Sequence, residues 1–171
     1  MDLEGSLCGI KEHIYISHKN DPDTKYEISI GNIKKSKFLE TAVYLDSTII
    51  NSEKSIIINE GSLPEFNFII RYLDFYENCD EIDPPEHPLV KDKLIHEIFE
   101  FEYVVFKDII DMENFNERIL LLRNILYLAN YMEMEKFYKK IAAILAYYLL
   151  TIQNAEEMES LREFLRKYLK D

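Results

Sequence analysis

The sequence has no tryptophan, two cysteines, four glycines and five prolines in 171 residues. Cys8 and Cys79 lie far apart and outside any Cys-x-x-Cys pair, which argues against a disulfide-built scaffold and predicts reduced thiols in a cytoplasmic or nuclear setting. Scarce glycine and proline predict regular elements joined by short loops, and the isolated Gly31 and Gly61 cannot build a phosphate-cradling loop. The longest apolar run, Ile141 to Leu150, reaches only half of the roughly 20 residues that a membrane span needs. The opening "MDLEGSLCG" has no basic region ahead of an apolar run, so no secretory signal is expected, and no Asn-x-Ser/Thr sequon occurs. Positive charge is the last shortage: 20 Lys and Arg face 32 Asp and Glu, a net charge of −12. Such a field repels phosphate backbones and anionic lipid, so neither direct nucleic-acid contact nor membrane-surface binding is expected. The best basic cluster, "IKKSKF" from Ile33 to Phe38, reads as a solvated turn.

Apolar and aromatic residues are plentiful, at 47% and 13%, enough for a sizeable core. "HIYIS" and "KYEISI" alternate around "HKNDPD", which predicts a hairpin with a loop of several residues, its inner face made by Ile14, Ile16, Tyr26, Ile28 and Ile30. "NIKKSKFLETAVYLD" repeats Phe38, Leu39, Ala42 and Leu45 at helical spacing, with Asn32 or Ser36 as the cap. "KSIIINE" is a β-branched run that predicts a strand buried against helices. "GSLPEFNFIIRYLDFYEN" then reads as a helix with Pro64 in its first turn. Residues 77–93 are acidic, carry three of the five prolines and predict an exposed loop. Helices are expected at "LIHEIFEFEYVVF", "NERILLLRNILYLANYM", "EMEKFYKKIAAILAYYLLT" and "AEEMESLREFLRKYL".

Nothing in this order resembles an active site. His13, His18, His87 and His96 never form the i, i+4 pair of a helical zinc site and read as surface or loop residues. No Gly-x-Ser-x-Gly elbow occurs, and the carboxylates of Glu97, Glu100 and Glu102, or of Glu156, Glu157 and Glu159, read as solvated helix faces. No catalytic residue, metal site or cofactor is assigned.

The unexplained feature is an apolar surplus. Ile119, Leu122, Leu126 and Ala129 share one face of their helix, while Leu120, Leu121, Ile125 and Leu128 fill its neighbours. The next helix carries Phe137, Ile141, Ile144, Leu145 and Tyr148 on one stripe, and Tyr138, Ala142, Leu149 and Ile152 on another. The last presents Met158, Leu161, Phe164, Leu165, Tyr168 and Leu169. So much apolar surface in a short chain predicts an interaction protein with a helical, partly apolar platform at its C-terminal side.

The order of strand, strand, helix, strand, helix, acidic proline loop and helices resembles the BTB/POZ fold, and within it the adaptor subunit of SCF-type ubiquitin ligases (the Skp family). "KYEISIGNIKKSKFLETAV", "SIIINEGSLPEFNFIIRYLDFYENCDEIDPP" with tandem Pro84 and Pro85, and "LLLRNILYLANYMEMEKFYKKIAAILAYYL" carry the resemblance. The family's Ala-Asn-Tyr-Leu core followed by an acidic residue is matched by Ala129, Asn130, Tyr131, Met132 and Glu133, and "NAEEMESLREF" is similar to its Pro-Glu-Glu-Ile helix start, with Ala155 in place of proline. The related elongin C type shares the early fold but stops near the end of that helix, whereas this chain continues to Asp171. The resemblance implies an α+β class: a small BTB/POZ-like sheet flanked by helices over residues 13–132, after an N-terminal extension at 1–12 and before a C-terminal helical extension at 133–171. It implies a non-enzymatic adaptor that bridges a cullin scaffold and F-box-type substrate receptors. Asn130 and Tyr131 would face the cullin. Phe137, Ile141, Leu145, Met158, Leu161 and Phe164 would face the F-box. The alternatives are a structural subunit of another assembly, kinetochore-like or ribonucleoprotein-associated, and a BTB module that self-associates into a homodimer when free.

Overall fold

The computed structural model describes residues 12–85, 100–152 and 154–168. The fold is α+β: a three-stranded sheet with helices packed against it, followed by a run of helices. Strand β1 (His13–His18) pairs antiparallel with β2 (Asp21–Ser29) and parallel with β3 (Ser55–Ile58), giving the order β2-β1-β3. Ile14, Ile16 and Ile28 point into the core, as the alternation predicts.

The hairpin differs from expectation in its turn. A tight connection replaces the longer loop, and Asp21 to Asp23 belong to β2, where His18 pairs with Asp21. Pro22 is tolerated because β2 is an edge strand, so its missing N–H breaks no ladder bond. A parallel β3 requires a crossover. It is supplied by α1 (Ile30–Ile33), α2 (Lys37–Leu45) and a 3-10 turn at Ser47–Ile49. Asn51 ends the crossover at φ 52°, a left-handed conformation that Asn tolerates. It is tied to the start of β1 by His13 N→Asn51 Oδ1 at 3.0 Å and Asn51 N→His13 O at 2.9 Å. β3 is the other edge, and Ile57 remains 46% exposed, so this strand is only half covered rather than buried.

The helix expected from Asn32 is split. Ser36 caps α2, its hydroxyl accepting Leu39 N at 3.2 Å, while Asn32 is buried and donates to Leu73 O at 2.8 Å. Leu45, expected on the inner stripe of α2, is 77% exposed, because the helix ends as it leaves the core. Helix α3 (Leu63–Phe75) starts as the sequence predicts: Pro64 sits in the first turn and the Ser62 amide donates to Glu65 Oε2 at 2.9 Å. Gly61 precedes it at φ 74°, a left-handed conformation that favours glycine, and a Cβ there would press on Leu128 Cδ2 at 3.0 Å.

Residues 77–85 form no helix or strand, as expected of the acidic proline loop; the rest of that loop, His87, His96 and the first part of the helix expected from Leu94 lie outside the described residues. Three longer helices follow α4 (Tyr103–Ile110): α5 (Phe115–Tyr131), α6 (Glu135–Leu150) and α7 (Ala155–Tyr168). Most of the apolar surplus is consumed here. Ile119, Leu122, Ile125, Leu128 and Ala129 are buried, and Leu120, Leu121 and Leu126 are half-buried. A helix sandwiched between α3 and α6 needs apolar residues on most sides. His18, expected at the surface, is fully buried: Nδ1 accepts Asn20 N at 3.2 Å, so Nε2 carries the proton and donates to Glu60 O at 3.3 Å. Among the described residues, no helix is long and apolar enough to cross a membrane.

Candidate partner-binding surface

One exposed region with a well-defined backbone is the elbow between α5 and α6. Two backbone bonds close the end of α5, Glu133 N→Asn130 O and Met134 N→Ala129 O, both at 3.0 Å. That is the Schellman pattern, with Glu133 at φ 51° in the position usually given to glycine. The elbow docks on the start of α2. Ser36 Oγ donates to Met132 O at 2.7 Å, and the amides of Lys37 and Phe38 reach Glu133 O and Met132 O at 3.4 Å. The carbonyls at the C-terminal end of α5 thus meet the free N–H groups at the N-terminal end of α2, each satisfying the other.

Asn130 is exposed on this elbow. Tyr131 is half-buried, its ring 5.3 Å from Phe38, so it offers one edge to solvent and secures α2 with the rest. Tyr127, one turn earlier, is 61% exposed and shares the face of Asn130 and Tyr131 by its i, i+3, i+4 spacing. A shallow cleft of about 340 Å³ lies beside them, lined by Lys37, Asn130, Glu133, Glu135 and Tyr138. Tyr138 was expected only as part of a second apolar stripe, and Tyr127 was given no role; its i−3 position relative to Asn130 was the available signal.

The six side chains assigned to the second partner divide evenly. Phe137, Ile141 and Leu161 are buried, a correction to their assignment as surface residues. Phe137 sits 4.3 Å from the Tyr72 ring and stacks on Phe106 at 6.4 Å, filling the space between α3, α4 and α6. Among the described side chains of α7, Leu161 is the buried apolar one. Leu145, Met158 and Phe164 are half-buried and keep apolar surface at the outside. Leu149 and Leu150, at the end of α6, add exposed area. A second cleft, of about 650 Å³, opens between the start of α5, the end of α6 and the first turns of α7; Phe115 and Ile152 are its apolar lining, with Asn116, Thr151 and Ser160 among its polar groups.

A buried charge cluster was also missed. Lys140 is fully buried and pairs with Glu102 at 2.6 Å, so Glu102 is no solvated helix residue; Glu100, Glu156, Glu157 and Glu159 are exposed as expected. The Tyr76 hydroxyl donates to the same Glu102 oxygen at 2.5 Å, and the Tyr72 hydroxyl donates to Glu81 at 2.5 Å. Burial pushes both phenols well above the ordinary tyrosine value, helped by the carboxylates they donate to. Burial also holds the Lys140 ammonium below its ordinary value, against the pull of Glu102. The signal in the sequence was a lysine on the apolar stripe, one turn from both Phe137 and Ile144. Neither Lys140 nor Glu102 lines the clefts described above. Among the described residues, no group of three or more His, Cys, Asp or Glu is placed to hold a metal ion.

Neither protein-family models nor curated proteins yield a match to this chain.

Proposed function

We propose that the protein is a non-enzymatic adaptor of a cullin-type ubiquitin ligase, built on a BTB/POZ-like module, with one surface for the scaffold and another for an F-box-type receptor. The observation that carries this reading is the elbow between α5 and α6. The stretch that resembles the Skp family's Ala-Asn-Tyr core ends α5 in a rigid, doubly bonded turn and leaves Asn130 exposed between Tyr127, Tyr131 and Tyr138. Aromatic residues around a polar anchor are the composition of a protein interface. The elements follow one another along the chain as strand, strand, helix, strand, helix and then helices, the order on which the resemblance rests.

The second surface is narrower than the sequence suggests. Leu145, Met158 and Phe164 keep exposed area for a receptor helix, whereas Phe137, Ile141 and Leu161 are buried; α5, α6 and α7 also frame the cleft with Phe115 and Ile152 in its lining. A helix laid into that groove gains its affinity from buried apolar side chains. Self-association is the second reading, favoured by the exposed Ile57 on the unpaired edge of β3. Affinity capture of the tagged protein from its native cell extract tests the first reading. Retention of a cullin together with F-box proteins is expected; recovery of a different stable complex, or of the protein paired only with itself, overturns it.

A further inference from the structure

Residues 80–85 lie across α3 and α6 without placing a side chain in the core. Asp80, Ile82 and Asp83 are exposed, and Glu81, Pro84 and Pro85 are half-buried. Their hold is polar. Glu81 accepts the Tyr72 hydroxyl at 2.5 Å, and its carbonyl accepts Lys136 Nζ at 3.2 Å. The Ile82 amide donates to the Tyr76 hydroxyl at 3.4 Å, and Asp83 pairs with Lys136 at 2.8 Å. Lys140, one turn further along α6 than Lys136, is bonded to the same two phenols, at 3.4 Å to Tyr72 and 3.2 Å to Tyr76. The outer lysine therefore holds this segment over the inner one.

A segment tied down by hydrogen bonds and an exposed ion pair, with no fully buried side chain of its own, opens at lower free energy than a packed helix. We propose that residues 80–85 form a strap, latched by Lys136, that opens without the core and, when closed, keeps water from the buried Lys140–Glu102 pair. Tyr72 and Tyr76 are the hinge of the arrangement, since each hydroxyl bonds the strap on one side and the ammonium of Lys140 on the other. Lifting the strap takes Glu81 from Tyr72 and opens a path for water to Nζ. Residues closer to the sheet stay in place, because α3 and α6 contribute Phe66, Ile69, Leu73, Phe137, Ile141 and Ile144 to the core independently of the strap.

Brief acylation of the full chain with an amine-reactive reagent, read residue by residue by mass spectrometry, measures the opening. It is run beside amide hydrogen exchange on the wild type and on Lys136→Met and Asp83→Asn. Lys139 is half exposed and serves as the internal control. Both variants are expected to raise acylation of Lys140 and exchange within residues 80–85 by about two- to fivefold, the range for losing one exposed ion pair. Labelling of Lys139 and exchange in α5 and α6 stay unchanged. The proposal is overturned if Lys140 reacts only at the rate of global unfolding in all three proteins, or if the variants accelerate exchange in α5 and α6 together with the strap.

Discussion

Lys140 Nζ lies 2.6 Å from Glu102 Oε1, and the two side chains are only 0% and 5% exposed. The ammonium is also set over two aromatic rings, 4.9 Å from the centroid of Tyr76 and 5.3 Å from that of Tyr72. One pair thus joins the N-terminal end of α4 to the middle of α6 and the C-terminal end of α3. Removing two charges from water offsets much of their mutual attraction, so the pair matters most through what is left when one partner is lost.

Lys140→Met is accordingly expected to cost about 3–5 kcal/mol, because Glu102 is then a buried carboxylate without its counter-ion, the Tyr76 hydroxyl still donating to it. Lys140→Met combined with Glu102→Met recovers most of that loss, since no unpaired charge remains. Urea denaturation of the three proteins checks both statements. A cost under about 1 kcal/mol for the single variant would mean that Glu102 does not depend on Lys140.

Tyr72 and Tyr76 set the alkaline limit of the fold. Their phenols are raised above the ordinary value of 10.0, so the folded chain keeps protons that the unfolded chain releases. That stability is complete below about pH 10 and is lost progressively as pH rises beyond it. Lys140 has the opposite sign, its contribution growing as pH rises toward 10.5. Tyr72 and Tyr76 are therefore expected to give the last tyrosinate absorbance to appear as pH rises, together with loss of helical circular dichroism. Ionisation of all phenols in one phase, with the fold intact, would contradict this.

Glu133 occupies a left-handed backbone conformation at φ 51° without being glycine. A side chain there costs roughly 1–2 kcal/mol relative to a right-handed conformation. Glu133→Gly should therefore raise the melting temperature by about 2–8 °C, as read by thermal unfolding. No gain would show that contacts of the Glu133 side chain compensate for the strain.

Much of the fold was legible in the sequence, and the misses have common causes. Alternation in "HIYIS" and "KYEISI" gave the hairpin and its buried face, but the turn was misplaced because Pro22 was read as a strand breaker. Only the sheet order, in which β2 is an edge, makes that proline harmless. Pro64 located the first turn of α3, while the Ser62–Glu65 capping box went unread. The partner surfaces were harder to read. Periodicity places Phe137 and Leu145 on one stripe but says nothing of depth, and α3 and α4 cover the first while leaving the second half-open. Glu102 was misread because its counter-ion is 38 residues away, beyond any local pattern.

The adaptor reading meets its most direct test in reconstitution from purified components. The full chain, a cullin N-terminal region and an F-box protein are mixed and followed by size-exclusion chromatography with light scattering. The wild type is compared with a double variant carrying Tyr127→Lys and Asn130→Lys, two exposed positions that leave the Phe38–Tyr131 contact intact. A three-component complex is expected with the wild type. The variant, still folded by circular dichroism, is expected to bind the F-box protein but not the cullin. If the folded wild type assembles with neither protein, or if the variant binds the cullin as well as the wild type does, the elbow is not a scaffold-binding surface and the adaptor reading is wrong.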